Sequence, residues 1–316
     1  MPKRKPRLLV IGSINMDLVL KAARVPQAGE TLLGEGYAFI PGGKGANQAV
    51  AAARLGAQAC LAGRIGADEH GARLKDQLRR QGVGLEFLAQ EEGTGTGLAV
   101  VMVEAGGQNR ILVYPGANMR LCEDDATGAL EAPPAGGWDA LLIQLEIPTQ
   151  TVIAACRRAK TLGIPVFLDA GPARDFPLEK VRGVAFLSPN EAETLALTGI
   201  EPRTTAHAAE AARALARKAG AETVIIKMGE QGAYLYHGGS GEQVPAIAVR
   251  AVDTTAAGDA FMAALALRWL ETGDPLDSVR FANLAGALAV TTMGAQPSLP
   301  SLREIEAFAR KKGVRL

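Results

Sequence analysis

Residues 253–261 read DTTAAGDAF, and the run FMAALALRWL that continues from 261 is rich in helix formers. A helix therefore begins inside the stretch, yet Gly258 occupies its first turn, directly before Asp259. Glycine within a helix costs about 1 kcal/mol relative to alanine, so its presence needs a reason. The first N–H groups of a helix have no internal acceptor, and the helix dipole adds partial positive charge there. Small residues at Ala256, Ala257 and Gly258 let an anionic group approach those N–H groups closely. Asp259 then lies beside the anion, where a carboxylate takes a proton from an attacking hydroxyl. Taken alone, the stretch is better read as a threonine-capped helix start with an acid placed for the dipole.

Outward from this point, apolar runs of strand length alternate with segments of helical period. LLVIGSI (8–14) reads as a buried first strand, GANQAVAAARLG (45–56) as a helix closed by Gly56, and QACLAGRIG (58–66) as a strand. The segment after Asp68 is amphipathic, and DALLIQLE (139–146), IPVFLDA (164–170), VAFLS (184–188) and TVIIKMG (223–229) are further apolar runs. Such alternation predicts a central, mainly parallel sheet flanked by helices. Two stretches break it. ETLLGEGYAFIPGG (30–43) and TGTGLAVVMVEAGGQNRILVYPGAN (94–118) carry β-type residues and glycine turns without helices. They predict a small antiparallel sheet inserted as a lid into one domain spanning 1–316.

In open α/β sheets, ligands bind beyond the carboxyl ends of the strands. Those ends carry polar groups here: Asn15 and Asp17 in GSINMD, Glu146 after LLIQL, Asp169 in VFLDA and Asn190 in FLSPN. The stretch PGGKGANQA (41–49) adds glycines for close backbone approach and Lys44 at a helix start. It reads either as a ligand-binding loop or as a flexible turn before a helix. It is not a P-loop, because Ala38 stands where that motif needs glycine and Gly45 where it needs serine or threonine. No GxGxxG follows the first strand, and GTGTG (93–97) leads into a β-type run, which argues against nicotinamide binding. In SPNEAE (188–193), Asn190 and Glu193 have capping-box spacing.

The bulk numbers exclude other classes. The chain has 316 residues and a net charge of +1, so no global basic field exists to hold nucleic acid or a membrane surface. The cluster KRKPR (3–7) reads as a short solvated tail. Cys60, Cys122 and Cys156 lie in or beside apolar segments without CxxC spacing, as small buried hydrophobes in a reducing compartment. No apolar run approaches the ~20 residues that span a bilayer. A cytoplasmic location is expected.

The set GSINMD, GGKGANQAVAAARLGA, QLE, PNEAE, AVDTTAAGDAF and GAQPS (294–298), in this order from about residue 8 onward, resembles the ribokinase branch of the PfkB carbohydrate kinase family. The resemblance implies a ribokinase-like fold with a β lid, and a homodimer formed through lid strands. It implies transfer of phosphate from ATP to O5 of D-ribose, with other acceptors in the same family being deoxyribose, nucleosides or other sugars. Asp259 matches the general base, and the N–H groups of Ala256, Ala257 and Gly258 match the anion hole. Asn15, Asp17, Gly43, Lys44, Asn47 and Glu146 match the sugar contacts. Asn190, the segment from Lys227 through Gly229 to Gly232, Gly258 and Asn283 match the nucleotide site. Mg²⁺ is implied near Asn190 and Glu193, through water. An activating K⁺ is implied at the side chains of Asp253 and Ser298 and the carbonyls of Thr255, Ala289, Thr292 and Gly294. The sequence departs from the family pattern at Lys227, where threonine is common, and at Asp169, where asparagine is usual. Thr255 replaces an aliphatic residue, and Thr292 and Met293 a basic pair.

Overall fold

The computed structural model describes residues 4–105 and 108–316. Strands β1 (Arg7–Ile11), β2 (Asn15–Ala22) and β3 (Gly36–Gly42) precede helix α1 (Lys44–Arg54). Next come β4 (Gln58–Gly66), α2 (Glu69–Arg80), β5 (Leu88–Glu91), β6 (Gly97–Glu104), β7 (Asn109–Tyr114) and α3 (Glu123–Glu131). They are followed by β8 (Ala140–Gln144), α4 (Thr149–Thr161), β9 (Val166–Asp169), β10 (Phe186–Ser188), α5 (Glu191–Thr198), α6 (Thr205–Ala219) and β11 (Thr223–Lys227). The chain ends with β12 (Ala233–His237), β13 (Ser240–Val244), α7 (Ala257–Thr272), α8 (Pro275–Ala289), α9 (Ala295–Ser298) and α10 (Leu302–Lys312).

Among the described residues these strands form a nine-stranded sheet, ordered β13-β12-β11-β10-β9-β8-β1-β4-β5, and a four-stranded sheet, ordered β3-β2-β6-β7. The large sheet is parallel from β5 to β11 and antiparallel beyond. Strands β1, β8 and β9 are buried along their whole length, because helices cover both faces and leave no solvated side. Alternation splits β1 between two cores: Leu8 and Val10 pack on one face with α1, α7 and α8, Leu9 and Ile11 on the other with α3, α4 and α6. Alanine dominates α1, so its backbone comes close to the sheet. A Cβ on Gly45 would meet the Gly12 carbonyl carbon at 2.5 Å. This contact seats the first turn of α1 against the end of β1. Helix α7 is buried almost all round at its start, as its continuous apolar sequence requires.

The lid differs from the expected antiparallel sheet. Its two central strands, β2 and β6, run parallel, and only its outer pairs are antiparallel. Strand β2 begins at Asn15, within the motif read as a loop, and residues 30–35 form no strand. The β12–β13 hairpin was not anticipated either. It turns at Gly238 and Gly239, with φ 58° and 89°, the positive values a tight hairpin needs. Within KRKPR, Lys3 lies outside the described residues, Arg4 and Lys5 are exposed as the solvated-tail reading expects, and Arg7 departs from it. Arg4 pairs with Asp139 at 2.6 Å, while Arg7 is buried in β1 and its N–H donates to Asp139 Oδ2 at 2.7 Å. Of the cysteines, Cys156 is buried and Cys60 half-buried, but Cys122 is exposed at the start of α3. Among the described residues no helix is long and apolar enough to cross a membrane.

Candidate active site

The carboxyl ends of β1, β8, β9 and β11 converge with the N-termini of α1 and α7. At α7, Ala256 takes a left-handed backbone, φ 60°, and no side chain caps the helix. The capping-threonine reading is therefore wrong: the N-cap position is Ala256, and the first-turn N–H groups face the crevice uncapped. The Ala257 N–H makes only a long bond, 3.3 Å, to the Thr254 carbonyl. A Cβ on Gly258 would find only Lys227 Nζ within 4 Å, at 3.6 Å, so glycine leaves open space over this turn.

Asp259, 3% exposed, accepts from Asn47 Nδ2 at 2.9 Å and from Gln48 Nε2 at 3.2 Å. Burial pushes its carboxyl up to about 6, against the opposing pull of Lys44 and with a further push from Asp169. Asn47 Oδ1 is buried without a partner beside it. Lys44 follows Gly43, whose φ of 86° and contact with residues 13–15 (a Cβ would lie 2.6 Å from Asn15 N) admit no side chain. The Lys44 N–H donates to Glu146 Oε2 at 3.2 Å, and the Ser13 hydroxyl donates to the same oxygen. Burial pulls the Lys44 ammonium down, but Asp169, Asp259, Glu193 and Glu146 together hold it well above the usual lysine range.

On the lid side, Asn15 Oδ1 accepts from Asn118 Nδ2 at 2.7 Å, and Ile14 N–H donates to Asn118 Oδ1 at 2.8 Å. Asp17 lies over Gly42, where a Cβ would fall 2.2 Å from its Oδ2. Burial, then Glu146 and Asp259, raise the Asp17 carboxyl to about 7. Between the lid and the segments 251–255 and 293–295 runs a cleft of about 610 Å³ lined by Asp17, Tyr37, Ile40, Asp253, Thr255 and Gly294 among others.

Beyond Asp259, Asp169 is fully buried at the end of β9 and ion-paired with Lys227 at 2.7 Å and Lys44 at 3.5 Å. Burial works against its charge, and the two lysines outweigh it and hold the carboxyl below its ordinary value. Asn190 and Glu193 form the expected capping box, Glu193 N–H to Asn190 Oδ1 at 2.8 Å and Asn190 N–H to Glu193 Oε2 at 2.7 Å. Glu193 Oε1 and Lys44 Nζ flank the same spot above Gly171.

Gly229 and Gly232 both have positive φ, 50° and 90°. A Cβ on Gly232 would lie 2.2 Å from the Val244 carbonyl. Asn283 Nδ2 donates to the carbonyls of Val244 and Pro245, at 3.3 and 3.1 Å, so it fixes the end of β13. Asp253 ties its own loop together. Its Oδ1 accepts from Thr255 N–H and Oγ1, and its Oδ2 from Gly294 N–H at 2.8 Å. These bonds outweigh burial and keep its carboxyl low. Ser298 is buried and donates to the Ala295 carbonyl at 2.8 Å. Ala289 and Thr292 meet one turn further on, where Thr292 N–H donates to the Ala289 carbonyl at 3.2 Å.

Sequence reading missed Gln48, Gln144 and Asn118. Gln144 Nε2 donates to Gln48 Oε1 at 2.6 Å, behind the base. The available signal was an amide inside an apolar run, in LLIQL and in the alanine-rich helix. A buried amide demands partners.

The model of the pfkB family of carbohydrate kinases matches residues 5–302, and the chain belongs to that family. It is 39% identical over 299 residues to a ribokinase of Bacillus subtilis (strain 168), covering 95% of this chain and 98% of that one. It is 35% identical over 302 residues to a deoxyribokinase of Salmonella typhi, covering 95% and 98%. A solved structure of Arabidopsis thaliana ribokinase complexed with ribose and ATP superposes with a TM-score of 0.86 at 34% identity, covering 96% and 99%.

Proposed function

We propose that this chain transfers the γ-phosphoryl group of ATP to O5 of D-ribose, yielding D-ribose 5-phosphate and ADP. The observation that carries the reading is Asp259 itself: a buried carboxylate, oriented by two amides, in the first turn of an uncapped helix. In the reaction the O5 proton passes to Asp259, the O5–P bond forms, and the bridging P–O bond breaks with its electron pair leaving on ADP. A base raised to about 6 is ionised at neutral pH yet basic enough to take that proton. Uncapped N–H groups at the start of α7 face the charge that builds on the phosphoryl oxygens. Asp17 and Glu146 receive hydroxyl donors of the sugar, and Asn15, Gly43 and Asn47 complete its contacts.

Mg²⁺ neutralises phosphate charge when bound and keeps several waters in such sites. Glu193, with one oxygen in the capping box and the other directed at the space above Gly171, suits contact through such waters. The Asp253 carboxylate and Ser298 hydroxyl, with the carbonyls of Thr255, Ala289, Thr292 and Gly294, are the oxygen donors that would hold K⁺, and both Asp253 oxygens accept loop hydrogen bonds here, one of them from Gly294 N–H. Asp253→Ala is expected to abolish potassium activation. A homodimer through the lid and a cytosolic setting complete the reading. Its support for the dimer is the exposed apolar residues on one face of the lid, Tyr37, Leu112 and Tyr114, which the strand register sets on the same side.

The test is ADP release from purified protein with ATP, Mg²⁺ and a panel of D-ribose, 2-deoxyribose and nucleosides. Ribose giving the highest kcat/KM supports the assignment. Preference for deoxyribose moves it to the neighbouring activity of the Salmonella relative.

A further inference from the structure

The crevice holds a lysine that neither the glycine-rich motif nor the acceptor contacts account for. Lys227, at the end of β11, donates to Asp169 Oδ1 at 2.7 Å. The other oxygen of Asp169 receives Gln48 Nε2 at 3.1 Å and has Lys44 Nζ at 3.5 Å. The same Gln48 nitrogen reaches Asp259 Oδ1 at 3.2 Å. One carboxylate, with no solvent exposure, thus fixes two ammonium groups from opposite sides of the crevice and is joined through one amide to the base. A lysine has three N–H donors. One of those on Lys227 is taken by Asp169, and the ammonium stands 3.6 Å from where a Gly258 Cβ would lie, a spot with no other atom beyond that turn within 4 Å. The open side of Lys227 therefore faces the uncapped first turn of α7. Glu193 is the other acid near this group, and half of its carboxylate is committed to Asn190.

We propose that Lys227 Nζ contacts the γ-phosphoryl group of ATP, and that Asp169 is the positioning residue that holds Lys227 and Lys44 on either side of it. This rests on the kinase reading above. Lys227 adjoins the Gly229–Gly232 turn and approaches from the nucleotide side; Lys44 lies on α1 and approaches from the acceptor side. Neither lysine gives up a proton. Both donate hydrogen bonds to phosphoryl oxygens while O5 loses its proton to Asp259 and ADP departs.

The test is calorimetric titration of the full chain with β,γ-imido-ATP and with ADP, alongside kcat and KM. In Lys227→Met, affinity for the ATP analogue falls about tenfold or more while ADP affinity holds, because ADP lacks the group contacted. Lys227→Arg recovers part of the loss. The effect of Asp169→Asn on kcat is smaller in the Lys227→Met background than in the wild type. Equal weakening of both nucleotides, no weakening of either, or wild-type turnover in the double variant overturns the proposal and leaves the pair a structural brace. A wild type that phosphorylates sugar while Lys227→Met keeps its preference for the ATP analogue refutes this inference alone. A wild type that binds neither nucleotide removes the kinase reading and this one together.

Discussion

The two ends of the crevice keep carboxylates in opposite company. At the acceptor end, Asp17 and Glu146 are set close together, and among the described residues neither has an ion-pair partner. Asp17 is driven up to about 7 by burial and by Glu146. At the phosphate end, Asp169 is buried still more deeply, yet two lysines hold it ionised. The same functional group anchors two lysines at one end and, on the function proposed above, would receive sugar hydroxyls at the other. What separates the uses is the sign of the nearest neighbour, because burial pushes both carboxyls in the same direction. Asp259 stands between, pulled down by Lys44 and pushed up by Asp169.

The largest break in this contrast comes from Asp259→Asn. Turnover falls by about 10²–10⁴-fold, the usual weight of a general base. Stability moves the other way. The folded carboxyl binds its proton up to about pH 6, above the unfolded value of 3.8, so ionisation at neutral pH costs stability. Thermal unfolding at pH 8 should show Asp259→Asn melting higher than the wild type. The wild type in turn should gain stability from this group as pH falls from about 6 towards 4, while its kcat/KM falls.

At the acceptor end, Asp17→Asn and Glu146→Gln should each raise the sugar KM by about 10–100-fold, the worth of a charge-assisted hydrogen bond. Nucleotide affinity, read by calorimetry, should stay put. A matched loss of nucleotide binding would erase the distinction between the ends.

Gly258→Ala sharpens the phosphate end alone. The new methyl has room, so the melting temperature should hold or rise slightly, by up to about 1 kcal/mol of helix propensity. The methyl nonetheless occupies the approach to the N–H groups, and kcat should drop about tenfold, less than the ~10²–10³-fold lost when such a donor is removed outright. The smallest effect on chemistry belongs to the lid: Leu112→Glu should convert the dimer proposed above to a monomer in sedimentation while each site retains most of its turnover.

The two motifs of the candidate site were legible because each is local in the chain. DTTAAGDAF and GGKGANQA each place helix start, glycine and polar group within a few residues, and local geometry carries them intact into the fold. What escaped reading is long-range. Asp169 and Lys227 appeared as two separate departures from the family pattern, 58 residues apart. They meet because their strands end at the same level, with only β10 between them. Asn118 lies 104 residues from the Ile14 backbone it holds, and nothing in PGAN announces that partner. Strand β2 hid because polar Asn15 and Asp17 flank its first buried apolar residue, Met16.

Strand β2 leaves β1 after only residues 12–14, and it is the middle of the small sheet that carries Asp17. Asp259 rides on α7, packed on the large sheet. On the function proposed above, the sugar would be gripped across a seam, one carboxylate on each bank. Any tilt of the small sheet lengthens the span between the two grips, so the acceptor acts as a gauge. A molecule too short to bridge the seam leaves its hydroxyl out of reach of the base.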